Sequence, residues 1–400
     1  MRDSDRATEV GDRLAGLREE VEAFLSSSCR VIDPAVDDPP GLIAAGSDIG
    51  AAIAGAQAFQ RRLHAAGLAG LSVPVSDGGQ GLPKAAEAIW VEESARYAIP
   101  NMTPLAVGLT LAVHTLLAWG SDALKRRHVA ATLAAEQVWC QLFSEPDAGS
   151  DLASIRTRGT GLDDGSFVVT GSKVWTSFAS HADFALLLAR TVAGTSGHQG
   201  LTMFVLNMKD PGVEVRPLRE MTGGAHFNEV HLHEVHISAD CIIGAEGDGW
   251  RVAMSTLGTE RGRVRQRGRP RWQRVAALQR QEGPADPVAR DSIALLAVLE
   301  TVTQWTIDRA DREVARGGVG LSGSVLKLSA SRVEQRAAAL AADLRGAAAT
   351  AWDDDEAGDG HLAHWFLGSR ANSIAGGTDQ IQLNIIGERV LGLPREQPRL

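Results

Sequence analysis

Apolar residues recur every three or four positions through the first third of the chain, which is the period of an amphipathic helix. The segments LAGLREEVEAFL (14–25) and GAQAFQRRLHAAGL (55–68) show this most clearly. Breaks that contain glycine and proline separate one such segment from the next. The pattern predicts a helical N-terminal domain over residues 1–136, and it favours a solvated helix face for Glu92 and Glu93.

The pattern changes near Gln137 to short β-branched or aromatic stretches bounded by glycine, aspartate or proline, which is typical of strands. Five such stretches are QVWCQLF, SFVVTGSKVW, DFALLLART, LTMFVLN and NEVHLHEVHI. Their regular spacing predicts a compact β-barrel domain over residues 137–245.

The helical period returns in residues 246–400, in segments whose length suits an antiparallel bundle. The clearest are IALLAVLETVTQWTIDRA, SVLKLSASRVEQRAAALAADL and GTDQIQLNIIGERVLGL. The chain is therefore predicted to be mostly α with a β-barrel insert, in the order helical domain, barrel and helical bundle. This order is uncommon, so it narrows the choice of fold more than composition does.

Composition and charge exclude several classes of protein. Among 400 residues, 44% are apolar and 22% charged, which is ordinary for a globular protein, and the net charge of −9 argues against a nucleic-acid partner. Cys29, Cys140 and Cys241 are too widely spaced for a disulfide framework or a zinc site. The chain start lacks an apolar signal, and the most apolar run, residues 103–119, contains His114 and is short for a membrane span. We therefore expect a cytoplasmic protein with no membrane span.

Two polar segments of the β domain give the first indication of chemistry. Residues 144–151, SEPDAGSD, follow a strand and would expose backbone N–H groups and hydroxyls to a strongly accepting ligand. Residues 171–177, GSKVWTS, would offer a planar cofactor an aromatic face and two hydrogen bonds. Taken singly, the first segment is more often a plain turn and the tryptophan more often a core aromatic. Together they favour a cofactor site.

With two later segments, these motifs resemble those of the acyl-CoA dehydrogenase family. SEPDAGSD resembles the family's (S/T)EPxAGSD loop, and GSKVWTS its G-x-K-x-W-(I/T)-(S/T) strand. DGWRVAMSTLGTERGR resembles the helix that opens the last domain, and AGGTDQIQLNIIGERVLG resembles the C-terminal segment. The resemblance covers essentially the whole chain. It implies a helical domain, a β-barrel and an oligomer-forming bundle, with FAD as cofactor and an acyl thioester as substrate.

The resemblance also implies which residues contact FAD, whose flavin lies between barrel and bundle in the family. Ser144 would lie near the N5 edge of the isoalloxazine ring, and residues 175–177 would flank that ring. Ser150 also matches a position that contacts the pantetheine arm of coenzyme A, and Arg261 matches an arginine beside the thioester. The implied cofactor-binding residues are Leu142, Phe143, Ser144, Gly149, Ser150, Trp175, Thr176, Ser177, Arg280, Thr378 and Gln380.

The chemistry of the family needs an oxyanion donor and a base. Because the α-hydrogen of a thioester is only weakly acidic, the developing enolate oxygen must be stabilised. Family members use a flavin ribityl hydroxyl and one backbone N–H, and the matching N–H here belongs to Gly376. A carboxylate removes the α-proton while the β-hydrogen leaves as hydride to flavin N5.

The position of the base departs from the commonest family pattern. The usual glutamate is replaced by Gly376, and glycine cannot accept a proton. A minority of relatives carry the base on the helix that opens the last domain, immediately before an arginine, and here this is Glu260 before Arg261. The resemblance therefore implies Glu260 as the base, although a glutamate beside an arginine on a helix is usually a surface ion-pair partner.

Other departures concern the adenosine part of FAD. Of the family's R-x-x-F-G motif only Arg280 is present, followed by Glu282 and Gly283. Asp379 adds a negative charge close to where a pyrophosphate would lie. We therefore expect altered cross-subunit contacts to FAD.

Two clusters of basic residues have no place in the family pattern. Four histidines, of which His231 and His233 should share a strand face, suggest a metal site only weakly, and we predict none. The four are His226, His231, His233 and His236. Within the arginine-rich run 261–274, the side chains of Arg265, Arg267 and Arg269 would dock a phosphate-bearing carrier. A solvated linker explains the run equally well.

The favoured function is α,β-dehydrogenation of an acyl group carried by coenzyme A or an acyl carrier protein, with an electron-transfer flavoprotein or similar acceptor. A homodimer or tetramer is expected, and a mixed oligomer fits the altered FAD motif. Two alternatives remain. A flavin-dependent oxygenase on the same fold needs no carboxylate base, which suits Gly376, and a non-catalytic partner subunit suits the altered motif. Glu260 argues against the oxygenase, and the intact SEPDAGSD and VWTS segments argue against the partner subunit.

Overall fold

The computed structural model describes residues 3–32, 48–263, 270–281, 283, 286–315, 322–350 and 360–395. The α-helices in these ranges are α1 (Asp3–Ser28), α2 (Ile49–Ala65), α3 (Ala85–Ser94), α4 (Val113–Trp119), α5 (Asp122–Leu133), α6 (Gly249–Arg263), α7 (Arg271–Gln281), α8 (Pro287–Ala315), α9 (Ser322–Arg345), α10 (Gly360–Ser369) and α11 (Asp379–Ile385). The strands are β1 (Trp139–Leu142), β2 (Arg158–Gly161), β3 (Phe167–Ser177), β4 (Phe184–Arg190), β5 (Leu201–Asn207), β6 (Val213–Pro217), β7 (Phe227–Ile237) and β8 (Ile242–Ile243).

The predicted order of helices, β insert and helices is confirmed, and the β insert takes the form of one eight-stranded mixed sheet. The described chain forms two compact units, one reaching Thr256 and the other beginning at Leu257. The first unit therefore contains the N-terminal helices together with the sheet. The limits of the three predicted domains, 1–136, 137–245 and 246–400, stay a prediction.

The N-terminal helices have the amphipathic packing that their sequences predict. Leu17, Val21 and Leu25 repeat every four residues along α1 and are fully buried. The solvated face predicted for Glu93 is wrong, since only 5% of this residue is exposed. Its carboxylate is held by two guanidinium groups, that of Arg18 from α1 and that of Arg96. A carboxylate paired in this way loses less on burial than an isolated one.

The most apolar run of the chain is helical and largely buried. A 3₁₀ turn, Thr103–Leu105, leads into a π-helical segment, Val107–Ala112, and then into α4. Leu111 and Leu116 are among the buried residues. In the described part of the chain, no helix combines the length and the apolar character needed to cross a bilayer.

The sheet runs in the order β6-β7-β3-β2-β4-β5-β8, and β1 pairs in parallel with β4 off this path. Leu186, Leu187 and Leu188 of β4 are all fully buried, which explains why this strand is a continuous apolar run. The two edge strands of the path, β6 and β8, are short. Short edges limit unwanted strand pairing.

The antiparallel pair of β3 and β7 contains two irregularities that shape the site. The register shifts between Val169 and Gly171, and again between Lys173 and Thr176. At the first shift only glycine fits, because a Cβ on Gly171 would lie 2.4 Å from Oγ1 of Thr157. Such bulges bend a strand and re-aim its side chains.

The second unit, which begins at Leu257 and is called the helical unit below, packs α7, α8, α9 and α10 around small and aliphatic core residues. Glu300 of α8 accepts hydrogen bonds from the backbone N–H groups of Arg271 and Trp272, both 2.9 Å long, and so caps the start of α7. Glu334 of α9 accepts a bond from the Arg271 side chain and one of 2.7 Å from Nε1 of Trp365. These bonds join α7, α8, α9 and α10.

Candidate functional site

The SEPDAGSD loop is fastened to β3 by a buried ion pair. Nζ of Lys173, a residue with no exposed surface, donates to Oε1 of Glu145 at 2.8 Å and to the carbonyl of Phe143 at 2.9 Å. Glu145 is 8% exposed, and it also accepts the backbone N–H groups of Arg156 at 2.6 Å and Thr157 at 2.9 Å. One carboxylate thus joins three segments of chain.

The electrostatics of this pair follow from its burial. Burial lowers the pKa of the Lys173 ammonium to about 8, because Glu145 offsets only part of the lost solvation. Burial pushes the pKa of Glu145 upward, but the charge and hydrogen bond of Lys173, together with the hydrogen bonds from Thr157 and Arg156, outweigh it and the net pKa is lowered. Both groups are therefore charged at neutral pH, and the loop is held by a complete ion pair.

Trp175 protrudes from β3 where the second register shift falls. Its φ of +60° lies in the left-handed region, and 62% of the residue is exposed. The neighbouring N–H of Val174 donates to the carbonyl of Ser144 at 3.0 Å, which joins this turn to the SEPDAGSD loop. The ring of Phe227 meets the indole edge-on at 6.0 Å between centroids. One face of a large aromatic side chain is therefore available beside the loop.

Hydrogen-bonding groups without partners in the described chain lie in the same two segments and on the adjoining β1. The hydroxyls of Ser144 and Ser177 make no hydrogen bond to any described residue. Thr176 is buried, and its Oγ1 likewise has no partner in the described chain, as does Nε2 of Gln141 on β1. An exposed aromatic face beside unpartnered donors and acceptors suits a flat heteroaromatic ligand with polar edges.

The remaining predicted residues of these segments differ in what they can offer. Gly149 and Ser150 are exposed, and a Cβ built at Gly149 would meet no atom within 4 Å. Leu142 and Phe143 are buried, and Leu142 belongs to the apolar core of the sheet. These two residues can reach a ligand only through their backbone.

The glycine pair before α11 has a backbone conformation that suits glycine. Gly376 and Gly377 have φ values of +68° and +87°. Nε2 of the fully buried Gln382 donates to their carbonyls at 3.0 and 3.3 Å. Thr378 caps α11, with its hydroxyl accepting the N–H of Ile381 at 3.2 Å. The carbonyls of this segment are thus engaged by the protein, while the Gly376 N–H has no acceptor among the described residues.

The negative charge of Asp379 is compensated locally. Nζ of the buried Lys327 donates to it at 2.9 Å, and the hydroxyl of Ser331 contributes bonds of the same length. This pairing with Lys327 offsets the negative charge of Asp379, which would otherwise repel a pyrophosphate placed nearby. The adjacent Gln380 is exposed.

Some predicted residues fall outside what the structure describes. Glu260 and Arg261 lie in α6, but their side chains are outside the described part of the chain. Residues 264–269, which include Arg265, Arg267 and Arg269, are also outside it, as is residue 282. Arg280 is exposed in the last turn of α7.

Three of the four histidines of β7 and the turn before it, His226, His231 and His233, lie beside glutamate carboxylates. Nδ1 of His226, a buried residue, lies 3.1 Å from Oε1 of Glu220. His231 and His233 do share a face, as predicted, with ring centroids 6.3 Å apart. Among the described residues, no three or more His, Cys, Asp or Glu side chains are grouped as a metal site would require.

Sequence reasoning missed two groups of residues at this site. Lys173 and Glu145 stand inside the quoted motifs, and their opposite charges were a usable signal that a buried pair joins the two segments. Asn228 gave no such signal. It is buried, and its Nδ2 donates to the carbonyls of Thr176 at 3.0 Å and His226 at 3.3 Å. Only the register of β3 against β7 reveals that contact.

Family models match along most of the chain. The model for the acyl-CoA dehydrogenase N-terminal domain matches residues 46–136, that for the middle domain residues 140–235, and that for the C-terminal domain residues 247–391. The glycine pair and the two motifs of the sheet all fall within these matches.

Similar proteins agree with the family models. Acyl-CoA dehydrogenase IpdE1 of Mycobacterium tuberculosis is 38% identical over 353 residues, which cover 85% of this chain and 88% of the relative. The solved Tcur3481-Tcur3483 steroid ACAD has a TM-score of 0.80 at 22% identity, covering 96% of this chain and 98% of that one. The ChsE4-ChsE5 complex from Mycobacterium tuberculosis has a TM-score of 0.76 with the same identity and coverage. At such identity the solved structures support the fold alone. The family models and the curated relative show that the chain belongs to the acyl-CoA dehydrogenase family, oxidoreductases that act on CH–CH groups and generally bind FAD.

Proposed function

We propose that this protein binds FAD and dehydrogenates an acyl thioester across its α,β bond. The observation that carries the proposal is the exposed indole of Trp175 beside the unpartnered hydroxyls of Ser144 and Ser177. These groups stand on a scaffold fixed by the Lys173–Glu145 ion pair. A flat cofactor with polar edges would meet a rigid surface there, which lowers the cost of ordering on binding.

The cofactor would be held mainly by groups that the fold leaves free. The indole of Trp175 would pack on the isoalloxazine ring, and the two serine hydroxyls would bond its polar edge. Leu142, Phe143 and Gly149 would contribute through their backbone. From the helical unit, Arg280, Thr378 and Gln380 are proposed to contact other parts of FAD, as the family resemblance implies.

The proposed chemistry divides the two hydrogens between protein and cofactor. Bound FAD would supply the acceptor for the β-hydride, at its N5. The carboxylate of Glu260 would take the α-proton, and the electron pair of that C–H bond would form the new double bond as the hydride leaves. The free N–H of Gly376 would bond the thioester oxygen as charge develops on it. The engaged carbonyls of residues 376 and 377 favour this role, because they keep the peptide groups fixed.

The substrate would be an acyl chain carried by coenzyme A or an acyl carrier protein. Ser150 is proposed to contact the pantetheine arm common to both carriers, and Arg261 to lie beside the thioester. Ser150 is exposed and would be accessible to such an arm. Electrons would pass on to an electron-transfer flavoprotein or a similar acceptor.

Absorbance of the purified protein tests the proposal against its two alternatives. We expect a yellow protein whose flavin band is bleached anaerobically by an acyl-CoA. Bleaching only by an external reductant would favour the oxygenase. A colourless protein that takes up no added FAD would contradict the proposal and favour a non-catalytic partner subunit.

Removing the aromatic face should weaken cofactor binding. For Trp175→Ala we expect the Kd for FAD to rise about tenfold, because a stacked aromatic pair contributes about 0.5–1.5 kcal/mol beyond its buried area. Fluorescence titration of the apoprotein with FAD measures this. Leu162→Ala removes another exposed apolar side chain, in the turn between β2 and β3, and should leave Kd unchanged. Equal Kd values in both variants would contradict the assignment of Trp175.

The exposed face of α8 is proposed to contact a second copy of the chain. Six large apolar residues are exposed along it, and at 100° per residue they fall within an arc of roughly 120°. They are Val288, Leu295, Val298, Leu299, Val302 and Trp305. An exposed stripe made mostly of apolar side chains marks an interaction site more often than a free surface.

A charge in that stripe should separate the subunits. We expect Val302→Glu to shift the protein to a smaller species in sedimentation velocity, because a carboxylate would be buried unpaired at the contact. Thr301→Glu adds the same charge on the flank of α8 and should leave the mass unchanged. A wild-type monomer would contradict self-association and favour a mixed oligomer.

A further inference from the structure

The backbone at Trp175 needs support from its surroundings. A tryptophan in the left-handed region, at φ +60°, has an uncommon and costly conformation for a residue with a Cβ. Phe178, three residues later, has φ +56°. Two such residues close together persist only where neighbouring groups hold the chain on both sides.

The register explains where the strain is located. Lys173 pairs with Val230, and Thr176 pairs with Asn228, so two residues of β3 oppose one residue of β7. This is the count of a β-bulge, and a bulge turns side chains away from their usual alternation. Trp175 is one of the two bulged residues, and its indole projects outward as a result.

The bulge is held on its N-terminal side by the SEPDAGSD loop. Val174 donates its N–H to the Ser144 carbonyl at 3.0 Å, and Lys173 is fixed by Glu145. On the C-terminal side β3 again pairs with β7, through Thr176 with Asn228 and Ser177 with Phe227, and one side chain adds a contact to this pairing. Nδ2 of Asn228, fully buried, donates to the carbonyls of Thr176 and His226 at 3.0 and 3.3 Å.

We infer that Asn228 is a positioning residue, whose carboxamide fixes the bulge and thereby orients the Trp175 indole toward the flavin. The part of the inference that concerns the flavin rests on the proposed function. The part that concerns the orientation of the indole can be tested without cofactor. The carbonyl of His226 also accepts the N–H of Phe178 at 2.8 Å, so this carbonyl receives one bond from the Asn228 carboxamide and one from the second left-handed residue.

The chemistry of the side chain accounts for the choice of asparagine. Both of its partners are carbonyl oxygens, so the buried group must donate two hydrogen bonds and remain uncharged. Aspartate would present a carboxylate to two carbonyls, and alanine would leave both carbonyls with one donor fewer. A serine hydroxyl can donate only one bond and has a shorter reach.

The test begins with the apoprotein labelled with 5-fluorotryptophan. The chain has nine tryptophans, and the ¹⁹F signal of residue 175 is identified by its loss in Trp175→Phe. We expect Asn228→Ala to shift or broaden that signal, with a smaller change in Asn228→Ser. Val235→Ala, which truncates a buried side chain at the other end of β7, should leave it in place. A signal that coincides with wild type in both Asn228 variants overturns the inference.

The second measurement uses FAD. We expect the Kd for FAD to rise about tenfold in Asn228→Ala, with a changed visible circular dichroism of the bound flavin, and to remain within about twofold of wild type in Val235→Ala. Equal Kd values and spectra in these two variants would overturn the inference that Asn228 orients the indole toward the flavin. If wild type itself binds no FAD, the proposed function fails, while the ¹⁹F result still decides what Asn228 does.

Discussion

Glu260→Gln is expected to retain FAD while losing 10²–10⁴-fold in the rate at which an acyl-CoA reduces the flavin. Removing a general base typically costs this much, and the glutamine is nearly isosteric with the glutamate, so binding should persist. Stopped-flow absorbance under anaerobic conditions measures the rate. Because Gly376 carries no side chain, the position used by most family members supplies no substitute base.

The control for this variant is Glu246→Gln, an exposed glutamate shortly before α6. It should reduce normally. A second variant, Glu260→Gln with Gly376→Glu, tests whether the other base position can take over. We expect little recovery, because φ at residue 376 is +68° and a side chain there is strained. Reduction by Glu260→Gln within about threefold of wild type would rule out this glutamate as the base.

Lys173→Met is expected to lower the free energy of unfolding by about 3–5 kcal/mol. Removing one partner of a buried ion pair leaves the other charge without compensation, and here the charge left is Glu145. Denaturant unfolding followed by circular dichroism measures the loss. Lys209→Met removes an exposed lysine from the same unit and should change stability by less than about 0.5 kcal/mol.

The pH dependence gives this prediction a second test. The pKa of native Glu145 is lowered, so its contribution to stability is present above the ordinary glutamate pKa, near about 4.3, and is lost as pH falls through the lower native value. The difference between wild type and Lys173→Met should therefore shrink in acid. Adding Glu145→Gln to Lys173→Met should recover part of the loss, because no charge then stays buried. A constant difference from pH 7 to pH 3 would contradict the ion-pair explanation.

Much of the architecture could be predicted from local patterns. The helical period and the strand-like stretches were sufficient to predict the order of helices, sheet and helices. Burial of one face of a helix or strand directly imposes a repeat of apolar residues on the sequence. The order of the strands was not predictable, since it depends on pairings between distant segments. The β3–β7 pair, for example, joins residues 167–177 to residues 227–237.

The same division holds for the site. The motifs identified the loop and the tryptophan, but the bulge that turns Trp175 outward depends on a register with β7 that no local pattern encodes. The burial of Glu93 was missed because Arg18, one of its two partners, lies 75 positions away. The ion pair of Asp379 was missed for the same reason, since its partner Lys327 lies on a different helix.

The burial of two lysines affects how readily this protein is acylated by thioesters. Thioesters acylate amines, and the chain contains only five lysines among forty basic residues of the lysine and arginine types. Two of the five, Lys173 and Lys327, are buried, and their ammonium groups are ion-paired. A protonated, inaccessible amine is not a nucleophile, so acyl groups can reach these two only when the fold opens locally. The groups that secure the motif segments are therefore shielded from the adventitious acylation to which Lys84 and Lys209 stand exposed.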